Sequence, residues 1–364
     1  MTKIKRIGIM TGGGDCPGSN AVIRAVAKRA MFEHEWEVFG IEDGYEGMIK
    51  GRFRKLAASD VSGILTLGGT ILGTSNTSDP YAYIVKRGKG TVSRDVSAQV
   101  IRNVRAKGLD ALVLIGGDGT LHTAAHLSEA GLRIVGVPKT IDNDLGGTDL
   151  TFGFDTAVSV ATEAVDRLHT TAQSHHRIMI VEVMGRRAGW IALYAGVAGG
   201  GDIILIPEIP YTLEAIAAKI HFRRMCGKKF SIVVIAEGAK PKGGEVVVKK
   251  RVETSADPIR LGGVGFVLGD QLERLTGQEA RCVVLGHLQR GGSPTAADRI
   301  LATQLGAEAV RLIANGEFGR MIAVRGGGIS SVPLDVPAMG PRLVPLDHPL
   351  IVAARSVGTS FGDE

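Results

Sequence analysis

At 364 residues the chain is long enough for two domains of ordinary size, and an apolar content of 44% supports hydrophobic cores. No uninterrupted apolar run reaches the ~18 residues of a membrane span, the amino terminus lacks a secretory pattern, and three cysteines without metal-ligand spacing indicate a reducing cytoplasm. The formal net charge of +6 comes without a long Lys/Arg run or an aromatic-rich basic segment, which disfavours nucleic-acid binding and favours a polyanionic substrate.

Short apolar, β-branched runs alternate with stretches of helical spacing along the chain. The runs predict strands at residues 4–10, 111–115, 134–137, 178–183, 203–206, 232–235 and 282–285. The spacing predicts helices at residues 21–33, 96–106, 121–130, 156–171 and 213–225. This alternation indicates an α/β fold with parallel sheets joined by right-handed crossovers. We expect residues 77–95 to lie on the surface and the proline-rich chain after residue 333 to be irregular.

The first candidate site is the glycine-rich stretch TGGGDCPGSN at residues 11–20, between the first strand and the first helix. Glycines at such a junction let backbone N–H groups bind a phosphate at the start of the helix. The stretch is neither a Walker A loop nor a GxGxxG motif. A structural alternative therefore stays open, in which the loop is a tight turn and Ser19 or Asn20 caps the helix.

A second glycine-rich loop, GGDGT at residues 116–120, follows the strand predicted at 111–115. Asp118 is well placed to bind a Mg²⁺ ion that bridges phosphates, because magnesium takes one or two carboxylates plus substrate oxygens. The same short motif also occurs in NAD kinases and lipid kinases. It therefore indicates kinase-like chemistry better than it indicates a substrate.

The segment PKTIDND at residues 138–144 is the most informative part of the chain. It follows a buried strand, at the edge where open α/β sheets bind ligands. We predict that Asp142 is the general base for an acceptor hydroxyl, that Asp144 supports it or the metal, and that Lys139 neutralises phosphate. The two carboxylates would face the same way in an extended segment and diverge in a turn. The alternative is that both aspartates only cap a helix or a turn.

Basic residues follow two later strands. In VEVMGRRAGW at residues 181–190, Arg186 can reach the charge that develops on a transferred phosphoryl group. In RCVVLGHLQRGG at residues 281–292, a cationic cluster of Arg281, His287 and Arg290 would suit a sugar phosphate. These segments extend the predicted chemistry to a phosphorylated acceptor.

Taken together, the motifs resemble those of the 6-phosphofructokinase family over residues 12–292. They occur in family order as GGGDCPGSN, GGTILGTSN, GGDGT, PKTIDND, SHHR, VEVMGRRAGW, PE, AEGA and GHLQRGGSP. The resemblance implies Mg²⁺-assisted transfer of a phosphoryl group to the 1-hydroxyl of fructose 6-phosphate, a step of glycolysis. It also implies two similar three-layer α/β/α domains with mainly parallel sheets and the active site in the cleft between them.

By the same analogy, residues 1–153 with about 289–338 form the domain that binds the phosphoryl donor, and residues 154–288 with about 339–364 form the domain that binds fructose 6-phosphate. Asp142 would be the base, with Thr140 and Asp144 beside it, and Asp118 would hold Mg²⁺. The residues implied for the donor and the transferred phosphoryl group are Gly13, Asp118, Gly119, Thr120, Lys139 and Arg186. Those implied for the sugar phosphate are Met184, Gly185, Glu237, Arg281, His287, Arg290 and Arg177. Arg177 and Arg281 would come from a neighbouring subunit, so a complete site requires a homodimer or homotetramer.

The resemblance leaves two phosphoryl donors open. ATP enzymes of the family usually carry glycine at the fourth position of GGDG and again before TIDND, whereas pyrophosphate enzymes commonly carry aspartate and lysine. Here Gly119 fits ATP and Lys139 fits pyrophosphate, while Asn76 and Thr123 replace an arginine and a glycine that many ATP enzymes have. The lysine can fill the space of an ATP α-phosphate and stabilise the leaving phosphate. We favour pyrophosphate, with ATP as the alternative.

Three other functions agree less well with the sequence. An NAD or lipid kinase, suggested by GGDGT, leaves PKTIDND and GHLQRGG unexplained. A catalytically silent sugar-phosphate-binding subunit is expected to lose the base or the metal carboxylate first, whereas Asp118, Asp142 and Arg186 are all present. A basic nucleic-acid binder has the weakest support.

Overall fold

The computed structural model describes residues 4–88, 90–251 and 259–364. The strands are β1 (Arg6–Thr11), β2 (Glu37–Ile41), β3 (Phe53–Leu56), β4 (Tyr83–Arg87), β5 (Gly90–Arg94), β6 (Ala111–Gly116), β7 (Ile134–Pro138), β8 (Ile178–Val183), β9 (Ile203–Leu205), β10 (Ser231–Ala236), β11 (Val248–Arg251), β12 (Ile259–Leu261), β13 (Ala280–Val284), β14 (Arg320–Arg325) and β15 (Gly328–Pro333). The helices are α1 (Ser19–His34), α2 (Tyr45–Lys50), α3 (Ser97–Ala106), α4 (Asp118–Glu129), α5 (Phe154–His175), α6 (Trp190–Ala198), α7 (Leu213–Met225), α8 (Val264–Thr276), α9 (Ala296–Ala314) and α10 (Pro349–Ser356). Short 3₁₀ helices lie at Ile64–Thr66, Gly286–Arg290 and Val336–Met339. No helix in the described ranges combines the length and the hydropathy that a membrane span requires.

Two mainly parallel sheets form the frame of the molecule. The larger sheet has the strand order β15-β14-β7-β6-β1-β2-β3, in which the edge pairs β14–β15 and β2–β3 are antiparallel and the other pairs are parallel. The smaller sheet, β13-β8-β10-β9, is parallel throughout. The seven strands and five helices predicted from the sequence are all present, with small shifts at their ends. The predicted α/β fold class is confirmed.

Each sheet lies between two layers of helices. On β6, Val113 packs into a core shared with α1 and α9, while Leu112 packs on the other face with α4. On β8, Val181 packs into the first of these cores with α5 and α6, while Ile180 packs with α7 and α8. Because one core is common to both sheets, the two halves of the molecule are joined by continuous apolar packing.

The segments outside the two sheets are only partly as expected. The surface segment predicted at residues 77–95 contains the antiparallel hairpin β4–β5, whose strands are largely exposed. The expectation of an irregular carboxyl-terminal tail is wrong for Pro349–Ser356, which forms α10. The side chain of His348 caps this helix by accepting from the Leu350 N–H at 3.2 Å. Pro349 is tolerated in the first turn because N–H groups there have no partner within the helix.

The helix that connects the two sheets, α5, begins on a buried carboxylate from α9. Asp298 accepts hydrogen bonds from the N–H groups of Gly153 and Thr156, each at 2.8 Å, and from the Thr156 hydroxyl at 2.5 Å. Gly153 has a φ of 93°, and a Cβ added there would lie 1.9 Å from the Cys16 sulfur. The crossing point between the sheets therefore requires glycine and is fixed by hydrogen bonds.

Candidate active site

The strand order places three of the predicted loops side by side. Because β1, β6 and β7 are adjacent and parallel, their carboxyl ends lie on one edge of the larger sheet. A glycine loop (residues 12–14) follows β1, Asp118 begins α4 just after β6, and Lys139 follows β7. This edge is where open α/β sheets bind ligands.

The glycine loop is held tightly against its neighbours. The Gly12 N–H donates to the Ile115 carbonyl at 2.8 Å, and the Gly13 N–H donates to the Ser75 carbonyl at 3.0 Å. Gly13 has a φ of 77°, and a Cβ added at Gly12 would lie 2.7 Å from the Thr120 side chain. Both positions therefore require glycine, one for its conformation and the other for space.

The alternative in which Ser19 or Asn20 caps the first helix is not what the structure shows. The residue before α1 is Gly18, with a φ of 101° and no side-chain cap. The Ser19 hydroxyl instead donates to the Cys16 carbonyl at 2.8 Å, and the Asn20 side chain accepts from the Ile71 N–H at 2.8 Å. These polar residues shape the loop and the segment beside it.

Lys139 is the buried cation of the site. Its side chain is folded under the glycine loop, where the ammonium donates to the Gly14 carbonyl, and the residue is only 4% exposed. A Cβ added at Gly13 would lie 3.4 Å from the ammonium nitrogen. Burial lowers the pKa of Lys139 to about 8, against the opposing influence of nearby carboxylates. An anion that enters the loop would therefore stabilise the charged form of this ammonium.

The aspartate turn (residues 141–144) is bent, not extended. Asn143 adopts a left-handed φ of 52°, and its side-chain oxygen accepts from the Thr151 N–H at 3.0 Å. The Thr140 hydroxyl accepts from the Asp142 N–H at 3.1 Å and lies 3.4 Å from Asp144 Oδ1, to which it donates. Thr140 therefore links the two aspartates, although the chain turns between them.

Asp142 has the environment of a general base. The residue is half-buried, and its Oδ1 is shielded from solvent without a hydrogen-bond partner. Burial raises the pKa of Asp142 to about 6; the charge of Arg290 acts against this rise and that of Glu237 adds to it. An unpartnered carboxylate oxygen with a raised pKa is suited to take a proton from a substrate hydroxyl, whereas a capping oxygen would already be engaged.

Asp144 is the second carboxylate of the turn. Burial, followed by the nearby charge of Asp142, raises the pKa of Asp144. The two carboxyl groups thus lie near enough for the charge of Asp142 to disfavour the ionised form of Asp144. The charge of Asp142 thus acts on the protonation of Asp144, and the supporting role of Asp144 stays a prediction.

The carboxyl ends of the strands in the smaller sheet face the carboxyl edge of the larger sheet. Met184 and Gly185 follow β8, with Met184 half-buried, and Glu237 follows β10. Burial raises the pKa of Glu237, and the charges of Arg290 and Arg186 act against the rise. Arg186 therefore lies within electrostatic reach of the same acidic group as Arg290.

Arg290 connects the two sheets directly. It ends the 3₁₀ helix after β13 and donates to the Asp15 carbonyl at 2.9 Å. A Cβ added at Gly14 would lie 2.8 Å from its guanidinium, so the glycine makes room for this contact. His287, in the same short helix, is exposed.

Asp118 is the carboxylate best placed for a magnesium ion. Its side chain is 61% exposed, at the start of α4, and it forms an ion pair of 2.9 Å with Arg187. The three-member His, Cys, Asp and Glu clusters typical of an all-protein metal site are not found among the described residues. A single accessible carboxylate does fit Mg²⁺, which completes its coordination with substrate phosphates and water.

The cationic cluster predicted from Arg281, His287 and Arg290 is split in this chain. Arg281 lies near the beginning of β13, opposite Met179 in the register, whereas the other two follow the end of that strand. Arg281 forms ion pairs with Glu279, which also binds Arg177 at 2.6 Å. Because the strands are parallel, these two arginines lie at the opposite edge of the smaller sheet from Glu237.

Some site residues were missed at the sequence level. Arg187 was visible only as the second arginine of its motif, and its partner Asp118 is 69 residues away. Arg342 contacts the aspartate turn, and Glu208 contacts the residue before α6, Gly189. Arg187 and Glu208 lie within the motifs VEVMGRRAGW and PE, which gave them no role, whereas no motif contains Arg342, whose contact with the aspartate turn joins residues 199 positions apart.

The titration of Lys139 gives a test that does not depend on substrate. Folding lowers its pKa from 10.5 to about 8, so between these values the unfolded chain binds more protons than the folded chain. Wild-type stability should therefore rise with pH in this window, by up to ~3 kcal/mol relative to Lys139→Met. Urea unfolding of both proteins at pH 7.5 and 10 would measure the difference. Lys240→Met, at an exposed position, should follow wild type; parallel curves for Lys139→Met would contradict the burial of a charged lysine.

Comparison with known proteins gives consistent matches over the chain. A family model described as phosphofructokinase matches residues 6–313. An ATP-dependent 6-phosphofructokinase 2 of Clostridium perfringens is 52% identical over 365 residues, covering 100% of both chains. A pyrophosphate–fructose 6-phosphate 1-phosphotransferase of Amycolatopsis methanolica is 52% identical over 330 residues, covering 90% of this chain and 93% of its own. Relatives named for either donor are thus similar to this chain at the same identity.

Solved structures agree with this match. The crystal structure of Pichia pastoris phosphofructokinase in the T-state has a TM-score of 0.79 at 33% identity and covers 93% of this chain, which spans 36% of that longer chain. A pyrophosphate-dependent phosphofructokinase from Marinobacter aquaeolei has the same TM-score of 0.79 at 23% identity, covering 94% of this chain and 86% of its own. The second likeness shows a shared fold.

Proposed function

This chain belongs to the phosphofructokinase family, and we propose that it transfers a phosphoryl group to the 1-hydroxyl of fructose 6-phosphate, giving fructose 1,6-bisphosphate. The observation that supports this most is the unpartnered, solvent-shielded Oδ1 of Asp142, beside the glycine loop and the buried Lys139. In the proposed step, the sugar oxygen forms a bond to phosphorus as the bond to the donor's leaving group breaks. The hydroxyl proton passes to Asp142.

The residues around Asp142 would stabilise the charge that moves during transfer. The backbone of Gly13 and the guanidinium of Arg186 would flank the transferred phosphoryl group, and Lys139 would neutralise the leaving phosphate. Thr140 and Asp144 would hold the base and the acceptor hydroxyl in line. In this arrangement catalysis comes chiefly from positioning and electrostatics.

Magnesium would be held by Asp118 and by oxygens of the donor. When bound, the ion supplies positive charge that offsets the charge of the donor phosphates. Gly119 and Thr120 follow Asp118 in the first turn of α4 and would lie beside the same donor; the Gly119 N–H donates to Asp118 Oδ1 at 2.7 Å and so would orient this carboxylate.

The sugar phosphate would be bound by both sides of an oligomer. Within one chain the proposed ligands are Met184, Gly185, Glu237, His287 and Arg290. Arg177 and Arg281, displayed together at the far edge of the smaller sheet, would reach the site of a neighbouring subunit in a homodimer or homotetramer. We also propose the division into donor and acceptor domains, and the cytoplasmic location, as expected from the sequence.

Pyrophosphate is the donor we favour. The Lys139 ammonium fills the space beneath Gly13 and Gly14, where it would contact a compact leaving phosphate. ATP is the alternative, and a specific observation favours it. A Cβ added at Gly119 meets nothing within 4 Å, so the space that a nucleotide would need beside this residue is open. A cavity of about 240 Å³ lies there, lined by Asp118, Gly119, His122, Arg187, Pro337, Ala338 and Gly340.

Turnover with each donor separates the two readings. With Mg²⁺ and fructose 6-phosphate, pyrophosphate should support formation of fructose 1,6-bisphosphate and ATP should not. Lys139→Met should lower the pyrophosphate rate by ~10²–10³-fold, because the variant keeps the side-chain length but loses the charge. Gly119→Asp should keep the pyrophosphate rate, since its side chain projects into open space. Activity with ATP alone would establish the alternative donor, and activity with neither would favour a silent sugar-phosphate-binding subunit.

The pH profile tests the assignment of the base. Since Asp142 must be ionised and Lys139 protonated, kcat/KM for pyrophosphate should fall below pH 6 and above pH 8, following the raised pKa of Asp142 and the lowered pKa of Lys139 in the unliganded protein. Asp142→Asn should lower kcat by ~10²–10⁴-fold. Asp270→Asn, at an exposed position on α8, should match wild type. Near-normal turnover by Asp142→Asn would show that another group takes the proton.

A further inference from the structure

A short tail segment (residues 341–344) lies against the aspartate turn. The Arg342 N–H donates to the Asp144 carbonyl at 2.7 Å, and the Arg342 guanidinium donates to the Asn143 carbonyl at 3.1 Å. Arg342, which comes late in the chain, thus binds two successive carbonyl groups of the turn that carries the proposed base.

The same residue is anchored on the other side of the site. The Trp190 indole N–H donates to the Arg342 carbonyl at 2.9 Å, and the guanidinium carbon lies 4.1 Å from the centre of the Trp190 ring. Trp190 is 1% exposed and begins α6, four residues after Arg186. Arg342 therefore spans the distance between the aspartate turn and the segment that carries Arg186.

A second bond in the tail segment strengthens this connection. The Val344 N–H donates to Glu208 at 2.9 Å, and Glu208 also accepts from the Gly189 N–H at 3.0 Å. Burial raises the pKa of Glu208, while the hydrogen bonds from these N–H groups act against the rise. The start of α6 and the tail segment are thus joined through one carboxylate as well as through Trp190.

We propose that Arg342 is a positioning residue for phosphoryl transfer, which holds the aspartate turn in register with the Arg186 segment. This inference rests on the proposed function. Arg342 acts on Asp142 through the main chain of the next two residues, so its effect is geometric. Asn143 adopts a left-handed conformation, which asparagine tolerates better than most residues, and the two contacts of Arg342 fix the carbonyl groups of Asn143 and Asp144 at the bend.

The contacts require arginine specifically. A planar guanidinium can stack on the Trp190 ring and donate to the Asn143 carbonyl at the same time, whereas a lysine ammonium cannot do both. Truncation of the side chain keeps the main-chain bond to Asp144 but removes the stacking and the second hydrogen bond. The turn should then shift relative to Arg186 without losing its fold.

The test compares Arg342→Ala and Arg342→Lys with wild type in the full-length enzyme, using whichever donor supports turnover. Arg342→Ala should lower kcat by ~10²-fold with little change in either KM, since small misplacements of reacting groups cost about this much. Added guanidinium chloride at low millimolar concentration should restore part of the kcat that Arg342→Ala loses. The kcat of Arg342→Lys should be lower than that of Arg342→Ala in the presence of guanidinium. Arg320→Ala is the matched control: this arginine also binds through its side chain, to Ser331 at 2.7 Å, but at the opposite end of the larger sheet.

Each outcome bears on the inference. An active wild-type enzyme with unchanged kcat in Arg342→Ala would overturn the positioning role and leave the proposed function intact. A loss of kcat that matches a loss of thermal stability, and that guanidinium does not restore, would also overturn it, because the role would then be general support of the fold. A wild-type enzyme inactive with both donors would overturn the proposed function first and this inference with it.

Discussion

The burial of the Lys139 ammonium beneath the glycine loop is the constraint on which the rest of the site depends. A charged amine removed from water is stable only where carbonyls or anions replace its hydration, and here the Gly14 carbonyl does so. A side chain at Gly13, besides requiring an unfavourable φ, would lie against the ammonium. The buried ammonium also suits the site to a polyanion, because an incoming phosphate supplies the negative charge that balances the positive charge of Lys139.

Besides the shared apolar core, cations from later parts of the chain contact the carboxyl edge of the larger sheet. Arg290 donates to the Asp15 carbonyl, Arg187 pairs with Asp118, and Arg342 from the tail donates to the Asn143 carbonyl. In each case the acceptor lies at the carboxyl edge of the larger sheet. The carboxyl edge of the larger sheet is therefore shaped by residues from later parts of the chain, and the geometry of the aspartate turn depends on these long-range contacts.

Sequence reasoning located what is encoded locally. Strands such as β6 and β8 are buried on both faces, so each is an uninterrupted apolar run, and the residues after them are loops at a ligand-binding edge. The short strands β2 and β3, the exposed hairpin β4–β5 and helix α10 were missed, because their patterns are brief or depend on tertiary contacts. The bend at Asn143 and the contact of Arg342 with the aspartate turn were not predictable, since the latter joins residues 199 positions apart.

The most direct test of the account is the number of protons that accompany donor binding. Free Lys139, with its pKa lowered to about 8, is mostly neutral at pH 9, and a bound pyrophosphate should restore its charge. Calorimetric titration with magnesium pyrophosphate at pH 9, in buffers of different ionisation enthalpy, measures this uptake. If Lys139 faces the donor, wild type should take up about one proton per site more than Lys139→Met. Equal uptake by the two proteins would show that Lys139 does not face the donor.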